Sequence, residues 1–329
     1  MKFNYPQICS NLLKSLLERQ KTVIARRFAL GSSNKAAAER ETLQSIGESQ
    51  NITRERVRQI EKDAFIKLRK EAKKYQKVFQ YFKDYLKESG NLKREDLLLE
   101  NLGGNNNKAQ IYFLLTLGEG FKRFGETNDF YSFWNINQES LTRAQRTASF
   151  LSGKLKEIGK PVPLKRLTAL SSLNQKVLIS FLEISKRIQK NSEGLLGLLD
   201  WPEIHPRGIK DKAYLVFQKE KKPLHFTQVA NFIERALPQT VHNELIKDSR
   251  FVLVGRGIYA LKEWGYEDGF VKDIISKTLK EAGKPLSKEE ILEKVLKQRL
   301  VKENTVLLNL SNKKYFSKIS EGLYTIREA

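Results

Sequence analysis

The sequence predicts a mainly α-helical chain, in which an N-terminal helix-turn-helix precedes tandem winged helices of three helices and a β-hairpin each. Two observations lead to this prediction. Residues 41–70 read as a short helix, a polar turn and a longer amphipathic helix. Farther along, Pro161, Pro223 and Pro285 each follow a lysine and recur every 62 residues, which indicates an internal repeat.

Composition points to a polyanionic partner. The 329 residues include 60 Lys and Arg against 38 Asp and Glu, a formal net charge of +22. Each phosphate that such a surface neutralises releases condensed counterions, so nucleic acid is the leading partner class and an anionic membrane surface the second. No apolar run approaches the roughly 18 residues of a membrane span, so no membrane partner is expected.

Cysteine usage and the N-terminus predict a cytoplasmic protein. Cys9 is the single cysteine, which excludes an internal disulfide and a cysteine-based zinc site. The first residues, from Met1 to Pro6, have no signal-peptide core.

The helix-turn-helix is the most specific local pattern. Residues 12–85 have helical periodicity, interrupted at Gly31–Asn34 and by a polar turn at Ser49–Ile52. Thr53 is suited to cap the long helix that follows, because its hydroxyl can accept from an amide one turn on. A stripe of apolar residues at helical spacing predicts the buried side of that helix: Val57, Ile60, Ala64 and Leu68.

The opposite side of the same helix is cationic and hydrogen-bonding, as a recognition helix in a major groove must be. Arginine suits guanine and glutamine suits adenine there, whereas the cations at Lys67–Lys74 suit phosphates. The alternative is a helical hairpin that does not touch DNA. The residues predicted to bind DNA in this segment are Thr53, Arg54, Glu55, Arg56, Arg58, Gln59 and Lys62.

Residues 17–70 resemble region 4 of sigma-70 family sigma factors, the module that reads the −35 promoter element. The matching strings are Leu17–Gln20, Arg27–Leu30, Thr42–Gly47, Ile52–Glu61 and Lys67–Arg69. The resemblance implies that Arg54, Glu55, Arg56, Arg58 and Gln59 contact promoter bases or phosphates.

Three features depart from the sigma pattern. Ser45 replaces a usually acidic residue, and the loop Gly31–Arg40 is longer than usual. Only sixteen residues precede Leu17, too few for the other sigma regions, so a complete sigma factor is not expected.

The repeats predict the domain organisation. Alternating strings around Gly257 and Gly322, at Phe251–Leu261 and Phe316–Ile326, predict hairpins, and Ser192–Leu195 is a fainter counterpart. Residues 110–136 form a further degenerate unit ending in a strand at Phe130–Trp134. A helical array without wings is the alternative.

The predicted parts are a helix-turn-helix domain with a trailing helix (1–88), a linker rich in Gly and Asn (89–108), one or two degenerate winged helices (109–203) and two clear ones (204–264 and 265–329).

The segment from residue 204 onward resembles HARE-type helix-turn-helix domains, a family that includes the N-terminal domain of the RNA polymerase delta subunit. The resemblance rests on Asp211–Leu215, Pro223–Phe226, Val241–Asp248 and Gly255–Leu261. It implies DNA binding or polymerase docking. Arg256, between two glycines at the predicted hairpin tip, is a candidate for a minor groove or phosphate contact, and a solvated turn residue is the alternative.

No residues combine into a catalytic or cofactor site. His205, His225 and His242 lack metal-ligand spacing, and neither a phosphate-binding loop nor a nucleophile elbow occurs. We therefore expect no catalytic residues, no metal and no cofactor.

The preferred hypothesis is a bacterial, nucleoid-associated transcription regulator that binds promoter-like double-stranded DNA and RNA polymerase. The alternatives are a polymerase accessory subunit and a partial or split sigma factor. The oligomeric state stays open.

Overall fold

A computed structural model describes residues 3–31, 40–319 and 322–327. The chain divides into two compact units, Met1–Asp200 and Trp201–Ala329. The loop expected to be longer than usual, Gly31–Arg40, lies almost wholly outside the described residues. In the part of the chain that the structure describes, no helix combines the length and the hydrophobicity of a bilayer span.

The first unit begins with four helices, of which the last three form the helix-turn-helix. They are α1 (Tyr5–Leu13), α2 (Glu18–Phe28), α3 (Leu43–Ser49) and α4 (Arg54–Ala72). The sequence did not reveal the break between α1 and α2, where Leu17 lies 66% exposed at the N-cap of α2. The turn before α4 is tight: the Ile52 amide donates to the Gly47 carbonyl, and a Cβ at Gly47 would lie 2.7 Å from the Ile52 oxygen. Glycine therefore fits there and a larger residue does not.

Helix α4 is buried along one side in two successive hydrophobic cores. Val57 and Ile60 pack with Val23 of α2 and Ile46 of α3 in a small helix-turn-helix core. One turn later, the stripe continues with Ala64 and Leu68, together with Ala72, into a much larger core shared with α1 and with the helices that follow. The predicted buried stripe is thus observed, and it ties the helix-turn-helix directly to the next part of the chain.

The stretch expected to be a linker, residues 89–108, is instead mostly regular structure. It contains β1 (Leu92–Arg94) and α6 (Glu95–Gly103). Leu92, Leu98 and Leu102 are buried, so the leucines outweigh the Gly- and Asn-rich composition that suggested a linker. Only the turn after α6 keeps that composition, and there the Asn107 side-chain Nδ2 donates to the Gly103 carbonyl.

Two winged helices complete the first unit. The first consists of α5 (Gln76–Glu88), β1, α6, α7 (Lys108–Leu117), β2 (Lys122–Phe124) and β3 (Phe133–Asn135), with antiparallel strand order β1-β3-β2. The second consists of α8 (Gln138–Ile158), α9 (Leu164–Ser171), α10 (Gln175–Ile184), β4 (Ile188–Lys190) and β5 (Leu196–Leu198). The strand expected at Phe130–Trp134 begins at Phe133, and Phe130 forms an isolated bridge with Ser185.

The second unit holds two further winged helices. One consists of α11 (Gly208–Glu220), β6 (Leu224–His225), α12 (Phe226–Phe232), α13 (Pro238–Lys247), β7 (Phe251–Gly255) and β8 (Ile258–Leu261). The other consists of α14 (Val271–Ala282), α15 (Lys288–Gln298), α16 (Glu303–Leu310), β9 (Phe316–Lys318) and β10 (Tyr324–Ile326).

The Lys-Pro signature of the repeat marks the same structural position each time. The preceding helix ends in a left-handed residue, Gly159, Lys221 or Gly283. Proline cannot continue a helix, and the residue after it pairs with a wing strand. The three pairings are Val162 with Leu196, Leu224 with Tyr259 and Leu286 with Tyr324.

Arg299 joins the two winged helices of the second unit. It is 3% exposed, and its guanidinium donates to the carbonyls of Glu267 and Gly269, in the segment between the two winged helices. The next residue, Leu300, donates its amide to the Val254 carbonyl of β7. Because buried backbone groups must find partners, these bonds hold the two winged helices against each other.

The small core of the helix-turn-helix gives a test of this packing. Ile46→Ala removes a fully buried side chain and should lower the local free energy of opening by about 2–5 kcal/mol. Amide hydrogen exchange across residues 18–72 measures that change. Gln44→Ala, on the exposed side of the same helix, is the matched control and should leave exchange unchanged. Equal protection in the two variants would contradict the assignment of this core.

Candidate DNA-binding site

Helix α4 presents all the predicted DNA-binding residues of the first unit to solvent. Its N-cap is Thr53, whose hydroxyl accepts from the Arg56 amide at 3.2 Å, as the sequence predicted. The residues that the structure brings together on this exposed surface are Thr53, Arg54, Glu55, Arg56, Arg58, Gln59 and Lys62. Opposite them lie the buried Val57 and Ile60, so packing fixes which side of the helix faces outward.

Two contacts between neighbours organise this surface. The Arg58 guanidinium donates to both carboxylate oxygens of Glu55, at 2.7 and 2.9 Å, and the Arg56 guanidinium donates to the Gln59 side-chain oxygen at 3.1 Å. The bonds from Arg58 hold the pKa of Glu55 below its usual value. Both members of the ion pair are more than half exposed, so exchanging it for DNA contacts costs little.

The charge along α4 and the residues directly after it is predominantly positive. Helix α4 has seven Lys and Arg against four Asp and Glu, and Lys73, Lys74 and Lys77 follow it. An outward-facing concentration of cations on one helix matches the electrostatic pattern of a polyanion-binding element.

The helix that precedes the turn is braced by contacts that the sequence did not reveal. The Arg26 guanidinium donates to both carboxylate oxygens of Glu41, at 2.7 and 2.5 Å, which ties the end of α2 to the start of α3. These bonds lower the pKa of Glu41. The Arg27 Nε lies 3.5 Å from the Glu61 Oε1 on α4. Burial raises the pKa of Glu61, although the charge of Arg27 acts to lower it. The partners are 15 and 34 positions apart, and no local periodicity marks them.

Arg256 belongs to the second unit and is exposed in the turn between β7 and β8. Gly257 has a φ of +68°, and a Cβ there would lie 2.5 Å from the His225 ring, so the turn requires glycine at that position. This glycine packs the turn against α12 and leaves the Arg256 side chain outside the core.

The third helices of the winged units differ sharply from α4. In many winged helices this element enters the groove, which favours several cations. Here α7, α10 and α13 carry one cation each, Lys108, Lys176 and Lys247, and α16 carries none. Helix α4 therefore carries more cations than any of these four helices.

Two of the three histidines, His225 and His242, have packing or capping contacts, whereas His205 is exposed. His225 caps α12 and hydrogen-bonds the Thr227 hydroxyl at 2.7 Å. The Phe226 ring packs against the rings of His225 and His242 in tilted arrangements, with 4.5 Å between ring centres in each pair. Among the described residues, no group of three or more His, Cys, Asp or Glu is placed to hold a metal ion.

Comparison with known families singles out the same segment. Residues 12–70 match the family model of sigma-70, region 4, which confirms the resemblance over α2, α3 and most of α4. Domains of this family bind DNA, so the N-terminal helix-turn-helix is similar to a DNA-binding transcription domain; the match covers residues 12–70 and not the rest of the chain. Every predicted site residue except Arg256 lies within the match. No curated protein matches the chain.

The cap of α4 can be tested by itself. Thr53→Ala removes the oxygen that accepts from the Arg56 amide and should destabilise the first turn by roughly 0.5–2 kcal/mol. Faster hydrogen exchange at the Arg56 amide measures the loss. Thr53→Ser keeps the hydroxyl and should restore protection. If alanine and serine exchange alike, the hydroxyl does not cap the helix.

Proposed function

We propose that the chain is a transcription regulator whose α4 reads a short promoter-like sequence in double-stranded DNA. The observation that carries this proposal is the division of α4 into a fully buried apolar side and an exposed side of arginines and glutamine, inside the segment that matches sigma-70 region 4. The proposed function involves no catalysed reaction and places the protein at the nucleoid.

In this proposal, the first two turns of α4 lie in the major groove. Arg54, Arg56 and Gln59 are suited to base edges, where a good bidentate contact discriminates by about 1–3 kcal/mol against a wrong base. Arg58, released from Glu55, and Lys62 extend the contact toward the phosphates. The cations of Lys67–Lys74 follow in the direction of the flanking backbone.

A double substitution distinguishes base-specific recognition from non-specific electrostatic binding to DNA. Arg56→Ala with Gln59→Ala should abolish sequence preference and leave weak, salt-sensitive binding, because the remaining cations still neutralise phosphates. Selection from a random oligonucleotide pool, with the wild-type chain in parallel, measures the preference.

Arg143→Ala with Gln145→Ala is the control for that pair, since both residues are exposed on α8 and lie outside the matched segment. We expect its selected sequence to equal that of the wild type. An unchanged preference in the Arg56 and Gln59 variant would refute the recognition-helix assignment.

A second candidate function is that of an RNA polymerase accessory subunit, docked through the winged helices of the second unit. It is supported by third helices that are poor in cations and carry exposed apolar side chains, Ile246 on α13 and Leu308 on α16. The HARE-type resemblance is compatible with it, but implies DNA binding equally. This function is compatible with DNA reading by α4. The remaining alternative is that the chain acts as one part of a split sigma factor. Support for it would be transcription initiation at a defined promoter by RNA polymerase reconstituted with this chain.

Polymerase docking can be tested on the full chain. Ile246→Ser with Leu308→Ser should lose most retention of purified core RNA polymerase in a nuclease-treated pull-down, because apolar side chains dominate stable protein interfaces. Phe150→Ser, a comparably exposed apolar residue on α8, should retain the wild-type amount. Equal retention by both variants would place the docking surface elsewhere.

A further inference from the structure

A cationic cleft of about 730 Å³ lies beside the proposed reading surface, between α2, α4, α7 and β2. Aromatic side chains form part of its wall, among them Phe28, Phe65 and Tyr112, and the single acid among its described lining residues is Glu61. Six cations line it: Arg27, Arg40, Arg58, Lys62, Arg69 and Arg123.

The cleft is not part of the sigma-like domain alone. Tyr112, Thr116 and Arg123 lie on α7 and β2, beyond the last residue of the family match. They reach the cleft because α4 and α7 share one hydrophobic core. The site therefore arises where the helix-turn-helix and the first winged helix are packed together.

Three of the six cations are partly neutralised by acids. Arg27 lies 3.5 Å from Glu61, and Arg58 is paired with Glu55. Arg123 donates to both oxygens of Glu95, at 2.5 and 2.9 Å.

The other three cations, Arg40, Lys62 and Arg69, form no ion pair with a carboxylate of the described residues. Arg40 lies with its guanidinium 3.9 Å from the centre of the Tyr112 ring, and Arg69 lies 5.9 Å from that of Phe65. Stacking on the Tyr112 ring restrains the Arg40 guanidinium while its N–H groups and its charge stay available, whereas Arg69 lies near the outer limit of a cation–π contact.

We propose that this cleft binds closely spaced phosphate groups, with Arg40, Lys62 and Arg69 as the principal donors. A guanidinium matches phosphate oxygens in pairs, and several cations without a carboxylate partner among the described residues, around one cavity, suit a ligand with several negative charges. Two ligands share this chemistry: a nucleoside polyphosphate and the DNA backbone that flanks the site read by α4. The second source rests on the proposed function, and the first does not.

Inorganic tripolyphosphate is the probe for the full chain, titrated by calorimetry at low salt. Arg40→Gln with Arg69→Gln should raise its Kd at least about tenfold, because two charge-assisted contacts are lost. Arg143→Gln with Arg146→Gln removes the same charge from an exposed face of α8 and should leave the Kd at the wild-type value. Equal Kd values in the two double variants, or no binding by the wild type, would overturn the proposal.

Competition identifies the source of the phosphates. If tripolyphosphate displaces a duplex with long flanks but not one trimmed to the selected sequence, the cleft holds DNA backbone. If deoxyadenosine triphosphate binds with the tripolyphosphate affinity or better, and without displacing either duplex, the ligand is a free nucleotide. Both results support a phosphate site.

The proposal for the cleft and the proposal for the reading surface can be refuted independently of each other. Arg56→Ala with Gln59→Ala should lose sequence preference and keep the wild-type Kd for tripolyphosphate. Loss of tripolyphosphate binding in that variant would show that the anion binds the reading surface and would overturn the cleft proposal. A wild-type chain without sequence preference that still binds tripolyphosphate through Arg40 and Arg69 would refute the proposed function and leave the cleft intact.

Discussion

The burial of one side of α4 is the constraint on which the rest of the first unit depends. Val57 and Ile60 are held in the small core of the helix-turn-helix, whereas Ala64 and Leu68 are held in the large core that continues into the first winged helix. Because one rigid helix enters both cores, it cannot rotate without exposing apolar surface in both. Packing in these two cores therefore determines which side chains of α4 face outward.

That constraint also concentrates positive charge. Cations excluded from the buried side must share the remaining surface, where like charges repel. Local acids relieve part of this repulsion, as Glu55 does for Arg58 and Glu95 for Arg123, and ring stacking restrains Arg40 without neutralising it. Arg40, Lys62 and Arg69 remain without a carboxylate partner among the described residues where α4 meets the winged helix, so the proposed anion cleft adjoins the proposed reading surface.

The winged helices repeat one structural plan with different surfaces. A left-handed helix end, a proline and a short strand paired with the wing recur in three of them. The first winged helix achieves the same geometry with Gly90, Asn91 and Leu92, the last paired with Asn135. The plan conserves backbone hydrogen bonding and core packing and leaves the exposed faces free to differ. Arg299 adds buried hydrogen bonds to the segment that connects two of the repeats, and the Leu300 amide bonds the Val254 carbonyl of the neighbouring repeat.

The sequence by itself determined the elements that local spacing encodes: the cap at Thr53, the apolar stripe of α4, the Lys-Pro repeat and the sigma-like helix-turn-helix. Each depends on residues within a few turns of one another, so periodicity reveals it. Only the tertiary structure decided that residues 89–108 are β1 and α6 and not a linker, that Arg26 braces Glu41, and that Arg40, Tyr112 and Arg123 line one cleft. These depend on which apolar surfaces bury each other across long separations in the chain, a choice made by packing and not written in any single segment.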